Sequence, residues 1–146
     1  MEKYITLHSE VLYHLNNNIK TEIKPSPIQG VGVFAIRNIK KGEYLFPKWE
    51  GDTGIYIIPN ERLDEIKPEV IDLLHRYFIN YEGDCKLIRL FNGINFTAHP
   101  ISYCNSAYPN RENKNIDTKG FALRDIEIGE EILEWYENNI NLDNSK

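Results

Sequence analysis

Prolines and glycines cut the middle of this chain into short pieces, and that punctuation limits the fold more than any other feature. Glu22-Ile23-Lys24 is extended and stops at Pro25 and Pro27, which disfavour helix. Gly32–Ile36 reads as a strand, Lys40-Lys41-Gly42 as a turn, and Glu43–Trp49 as a second strand ending at Gly51. Ile55–Ile58 is a β-rich run closed by Pro59. Helix has two openings. Asn60 can cap a short helix over Glu61–Ile66. Pro68, at a first helical position, opens a helix over Glu69–Tyr81. There Val70, Leu73, Leu74, Tyr77 and Phe78 recur at helical spacing, and Gly83-Asp84 ends it. Beyond it, Lys86–Phe91 reads as a strand and His99–Asn105 as a single helical turn or coil. Lys119–Arg124 and Glu131–Trp135 read as closing strands. The sum is mostly β (β+α): small sheets of short strands with one main helix. Strand–helix alternation is missing, which argues against a doubly wound nucleotide-binding sheet.

The 146 residues suit one domain, with Asn16–Lys20 and the polar tail from Asn138 flanking its body. That divides the chain into an N-terminal extension at 1–20, a body at 21–137 and a tail at 138–146. The tail, ENNINLDNSK from Glu137, has little to bury and is expected to fray. With 17 Lys and Arg against 22 Asp and Glu, the net charge is −5, which argues against a phosphate-backbone binder and suits a basic peptide partner. No apolar run spans a bilayer, and MEKYITLHSE lacks the order of a signal peptide. Cys85 and Cys104 have no CxxC partner. A disulfide scaffold and a thiolate zinc site are therefore excluded, and no metal is expected. Free thiols point to an intracellular compartment, cytoplasm or nucleus.

Three segments carry chemistry together. Ser26-Pro27-Ile28-Gln29-Gly30-Val31-Gly32-Val33-Phe34-Ala35 holds a GxG before a strand, where a missing Cβ lets backbone approach a ligand. A helix does not follow, so the Rossmann and P-loop fingerprints are not met. Tyr103-Cys104-Asn105-Ser106-Ala107-Tyr108-Pro109-Asn110 is, on its own, a surface turn. Ala122 to Tyr136, with Arg124-Asp125-Ile126 and Gly129-Glu130-Glu131-Ile132, is, on its own, a β-hairpin.

In this order and spacing the three segments resemble the SET-domain protein-lysine methyltransferases, over about Glu22 to Tyr136. Gly30 through Ala35, then Ile39, Gly42 and Glu43, match the family's opening segment. The closing segment is nearly complete in Ala122, Arg124, Asp125, Ile126, Gly129, Glu130, Glu131, Ile132 and Tyr136. The middle motif departs from the family's Phe-Ile-Asn-His-Ser-Cys-x-Pro-Asn. Aligned back from Pro109-Asn110, Cys104 replaces the family Asn and Asn105 the His; aligned forward, Tyr103-Cys104-Asn105 matches Phe-Ile-Asn and the loop is one residue short. The forward alignment keeps Asn105 and is preferred; in both the His is missing. The zinc-binding cysteine modules that often flank such domains are also missing, so the chain resembles a minimal member.

The resemblance implies a β-clip-like fold with a knot-like C-terminal crossing. It implies methyl transfer from S-adenosyl-L-methionine to the ε-amine of a protein lysine, with cofactor and peptide entering a narrow channel from opposite faces. Gly30, Val31 and Gly32 would hold the cofactor through backbone groups. Tyr103, Cys104, Asn105 and Ser106 would flank it. Tyr136 would be both the catalytic residue and a cofactor contact. Asn110 would brace the crossing. The implied partner is a lysine-containing protein or peptide, with histones among the candidates, and neither nucleic acid nor membrane; a homodimer stays open. A SET fold without turnover, serving as a peptide-binding module, is the alternative, and a small amine substrate a third.

Other residues weigh less. Trp135 could cover an adenine, though packing is the simpler role. Trp49 or Tyr44 could line the channel, with core packing favoured. His99 and His75 stand in no paired constellation. Glu130 and Glu131 are neighbours on a strand and point to opposite faces, so they cannot share one proton or metal. Cys104 fits a buried, inert thiol. The acidic residues Asp64, Glu65, Glu69 and Asp72 of the insert could meet a basic substrate or simply face solvent.

Overall fold

Among the described residues, eight short strands and two α-helices make up the regular structure. In chain order they are β1 (Tyr4–Thr6), α1 (Ser9–Asn17), β2 (Thr21–Pro25), β3 (Val31–Ala35), β4 (Gly54–Pro59), α2 (Pro68–Tyr77), β5 (Tyr81–Glu82), β6 (Cys85–Leu90), β7 (Asn105–Ser106) and β8 (Glu131–Glu134). Single 3₁₀ turns lie at Asn60–Glu65, Pro100–Tyr103 and Arg111–Asn113. The computed structural model describes residues 4–77, 81–82, 84–90 and 100–136. Phe78 and the rest of 78–80, Gly83, Phe91, His99 and the tail lie outside those residues, while Tyr81, read as the end of the helix, belongs to β5 instead.

The chain forms two compact units, one from Met1–Ile19 with Phe46–His99, the other from Lys20–Leu45 with Pro100–Lys146. The first carries a sheet in the order β1-β4-β6-β5, with β1 parallel to β4 and the other pairs antiparallel. α2 buries Val70, Leu73 and Leu74 as its periodicity requires, while Asp72, His75 and Arg76 stay exposed. α1 adds Val11, His14 and Leu15 at i, i+3 and i+4 to the same unit's core, which also holds Trp49, Tyr56 and Ile58. Trp49 packs within this unit's core. Its ring lies 5.3 Å from His14 and edge-on to Tyr56 at 5.9 Å, and its Nε1–H donates to the Asp52 carbonyl at 2.8 Å.

The second unit carries the sheet β2-β3-β8-β7. β2 and β3 form an antiparallel pair from Thr21↔Ala35 to Pro25↔Val31, β3 pairs with β8, and the two-residue β7 runs parallel to β8. Its core is Val33, Phe34, Ile36, Ile39, Leu45, Ile116, Ile126 and Ile132. Two predicted strands are not formed as such. Glu43–Trp49 contributes one bridge, Tyr44↔Phe121, because Pro47 has no N–H to extend a ladder. Lys119–Arg124 is reduced to bridges at Phe121 and Ala122. There the Asp117 carboxylate takes the N–H groups of Lys119 (2.9 Å) and Phe121 (3.0 Å) that a strand would use.

Candidate functional site

β7 and β8 place the site. Their parallel register sets Asn105 opposite Leu133 and Ser106 opposite Glu134, so the closing segment lies against the middle motif. One pocket of about 460 Å³ opens there, lined by Gln29, Gly30, Val31, Tyr103, Cys104, Asn105 and Tyr136. Six of the predicted site residues thus share one cavity, although the first and last of them, Gly30 and Tyr136, lie far apart in the chain. Gly30 sits at φ +48 with nothing within 4 Å of where a Cβ would stand, so its conformation demands glycine and its outer side is open. Gln29, Gly30 and Val31 are exposed, and Tyr103 stands at the rim.

Gly32 is different. It is buried, and an added Cβ would lie 2.2 Å from Glu131 Oε2 and 3.1 Å from Asn105 Nδ2. The close approach at this glycine is made by the protein's own side chains. Glu131 accepts from Ser26 Oγ at 2.8 and 2.9 Å and from Asn105 Nδ2 at 2.9 Å. The same Asn105 amide donates to the carbonyls of Val31 (3.2 Å) and Gln29 (3.3 Å). Asn105, 5% exposed, therefore ties β7 to the pocket loop, and Glu131 anchors it. Sequence reading took Glu131 as structural without finding this role. The bond from Ser26 crosses 105 positions, and no local pattern announces it.

Tyr136 closes the far side. Its hydroxyl donates to the Cys104 carbonyl and its N–H to Ser106 Oγ at 3.4 Å. Partial burial, then Glu134 and Cys104 nearby, raise the phenol above its ordinary range, so it stays protonated near neutrality. Burial, with Glu134 and Glu131 adding to it, pushes the Cys104 thiol far up, and a thiol so held is a poor nucleophile. Ser106 accepts from the Tyr108 N–H at 3.2 Å and does not line the pocket. Trp135 packs its ring 5.9 Å from Tyr108 under the Arg111 guanidinium at 5.7 Å.

The remaining motif residues are scaffold. Asp125 accepts the Lys41 N–H at 2.8 Å, and Arg124 pairs with Glu130 at 2.9 Å. Partial burial alone would raise the Glu130 carboxyl, but Arg124 and the Glu127 N–H outweigh it and hold it below the ordinary range. Glu43 takes the Lys40 N–H (3.1 Å) and the buried Lys20 ammonium (3.1 Å). The side chain that ties β8 to the segment before it is Asn115, which the sequence did not single out. Asn115 is fully buried, donates to the Glu131 carbonyl and accepts from the Leu133 N–H, both at 2.8 Å, which mimics one more strand beside β8. Asn110 is exposed and its N–H closes a turn onto Ala107 at 2.9 Å.

Tyr44 packs against Phe121 at 5.0 Å, and His75 Nδ1 lies 3.0 Å from Lys86 Nζ, in the other unit from the pocket. Cys85 and Cys104 are free thiols. Among the described residues no group of three or more His, Cys, Asp or Glu is placed to hold a metal ion, and no helix is long and apolar enough to cross a membrane.

Comparison with known proteins returns no match among curated proteins. Among solved structures, a Plasmodium falciparum protein provisionally named a histone methyltransferase is similar at 25% identity, covering 81% of this chain and 93% of its own, with a TM-score of 0.36. The family model of the SET domain matches residues 30–137, which include the pocket loop, the middle motif and Tyr136. With most of its length matched, and the small-sheet fold to go with it, the chain belongs to the SET-domain family.

Proposed function

We propose that this chain transfers a methyl group from S-adenosylmethionine to the ε-amine of a lysine in a protein or peptide. The observation that carries this reading is the meeting of the Tyr136 hydroxyl with the backbone of Gln29–Val31 and Tyr103–Asn105 in one cavity. Its volume, about 460 Å³, lies within the ordinary range of small-ligand sites. The residues fit a cofactor of this kind. Gly30 leaves the loop's outer side clear, and the Cys104 carbonyl and Tyr136 hydroxyl are oxygens suited to a cationic, polarised ligand. S-adenosylmethionine supplies a methyl group activated by its sulfonium.

The chain's own work is positioning. Glu131 and Asn105 fix the pocket loop. Tyr136, whose hydroxyl donates its hydrogen bond to the Cys104 carbonyl, keeps lone pairs free to orient an amine. Buried Cys104 and the aromatic rings lower the local dielectric, which favours the neutral amine that must attack. Preorganisation of this sort, without covalent or metal chemistry, is enough for an in-line displacement. The net charge of −5 favours basic substrates, histones among them, and free thiols suit the reducing interior of a cell.

One observation favours the binding-module reading. The Asn105 amide is already committed to Gln29, Val31 and Glu131, and Ser106 follows it where the family places His. Isothermal titration with S-adenosylmethionine separates the two. Methyl transfer predicts saturable heat, lost when the cavity is filled by Gly30→Trp; no heat at millimolar cofactor would contradict it.

A further inference from the structure

The unit that does not hold the Tyr136 cavity has a pair of its own. His75, exposed on α2, brings its Nδ1 to 3.0 Å from the Nζ of Lys86, a β6 residue only 3% exposed. β6 lies between β4 and β5, with Lys86 opposite Ile58 on one side and Tyr81 on the other. Its backbone is therefore enclosed by the sheet, and its side chain is what reaches α2. A lysine ammonium only donates hydrogen bonds, so the imidazole accepts at Nδ1 and carries its own proton at Nε2. Both side chains line a cavity of about 190 Å³, completed by Asn60 and Leu63 of the first 3₁₀ turn. All four residues belong to one compact unit.

These are the parts of an amine nucleophile. An ordinary lysine reacts slowly near neutrality because its ammonium has no lone pair to offer. Burial disfavours the charged form and lowers Lys86 below the ordinary lysine range. A proton acceptor already stands at hydrogen-bond distance, and that acceptor faces solvent. Asn60 adds a side-chain amide that can donate to a carbonyl oxygen. The cavity is smaller than the roughly 300 Å³ at which ordinary ligand sites begin, so it selects a short electrophile.

We propose that Lys86 is a nucleophilic lysine, served by His75 as acid and base, that condenses with short aliphatic aldehydes. His75 Nδ1 takes a proton from the Lys86 ammonium. The freed lone pair attacks the carbonyl carbon, and the π pair of the C=O bond moves onto oxygen. The imidazolium protonates that oxygen, takes a second proton from the new C–N nitrogen, and gives it to the hydroxyl, which leaves as water. A protonated imine remains, and nothing is oxidised or reduced. Loss of water needs no site for a larger leaving group, which suits so small a cavity. This chemistry stands apart from the methyl-transfer reading.

The test uses the full chain near neutral pH with propanal and sodium cyanoborohydride, which traps the imine as a stable propylamine. The modified lysines are mapped by mass spectrometry over time. Lys86 should be labelled at least about tenfold faster than the exposed Lys40, Lys41 and Lys119. His75→Gln keeps a hydrogen-bond acceptor but not the base. It should slow Lys86 by at least about tenfold and leave the other lysines and the melting temperature unchanged. Pyridoxal phosphate, too large for the cavity, should label exposed lysines and spare Lys86. Lys86 labelled no faster than the exposed lysines, an unchanged Lys86 rate in His75→Gln, or labelling of Lys86 by pyridoxal phosphate as readily as by propanal would each overturn the proposal.

Discussion

Gly30 and Gly32 are glycines for different reasons, and the difference is measurable. At Gly30 the backbone angle, not space, excludes other residues. Gly30→Ala should cost about 1 kcal/mol, the penalty of a left-handed conformation, with a small drop in melting temperature. At Gly32 a methyl group would push into the Glu131 carboxylate and the Asn105 amide. Gly32→Ala should cost about 2–3 kcal/mol and lower cofactor affinity as well, because the loop anchor moves. Equal stabilities of the two variants by urea unfolding would refute this assignment. Glu131→Gln offers a milder probe. It keeps the size but weakens the bonds from Ser26 and Asn105, so cofactor affinity should fall several-fold with a stability loss near 1 kcal/mol. Gly30, Asn105 and Tyr136 could be read from the sequence because each stands in a short motif. The Ser26–Glu131–Asn105 chain and the buried Asn115 could not, since their partners, 16 to 105 positions apart, meet only once the sheet has formed.

Among the elements, α2 was legible and α1 was not. Pro68 at its start and the spacing of Val70, Leu73 and Leu74 announce α2. α1 has a mixed sequence, SEVLYHLNN, in which Leu12 is apolar but off the buried face, Val11 and Leu15 are buried, and the third buried position is a histidine. His14 is 2% exposed and its Nδ1 lies 3.1 Å from Asn18 Nδ2, while its Nε2 is buried with no hydrogen-bond partner among the described residues. Burial lowers its pKa from 6.5 to about 4. Folding therefore favours the neutral ring. Its contribution is complete above pH 6.5, falls as the unfolded chain takes up the proton, and levels off near pH 4. The loss across that window should be at most about 3 kcal/mol. Urea unfolding between pH 7 and pH 4 should show it, and His14→Phe should flatten the profile; an unchanged slope would mean that the ring titrates normally. The misread strand Glu43–Trp49 has the opposite lesson. Its residues have β propensity, but Pro47 and the turn-forming Asp117 leave it a single bridge.

For the whole molecule, no single motif identified the family; the order of three weak ones did, and the model match over residues 30–137 agrees with it. Order survives because the opening loop, the middle motif and the closing strand must all arrive at one sheet, β2-β3-β8-β7. The central claim is that this assembly moves a methyl group past Tyr136. The most direct measurement is single-turnover transfer of labelled methyl from S-adenosylmethionine to purified histones and lysate protein, with the modified residue mapped and melting followed in parallel. The account predicts label on lysine with the wild type. With Tyr136→Phe, which removes one oxygen from the cavity wall, transfer should fall on the order of 100-fold at nearly unchanged melting temperature. Wild-type transfer rates in a well-folded Tyr136→Phe, or no labelled lysine from the wild type on any protein pool, would contradict it.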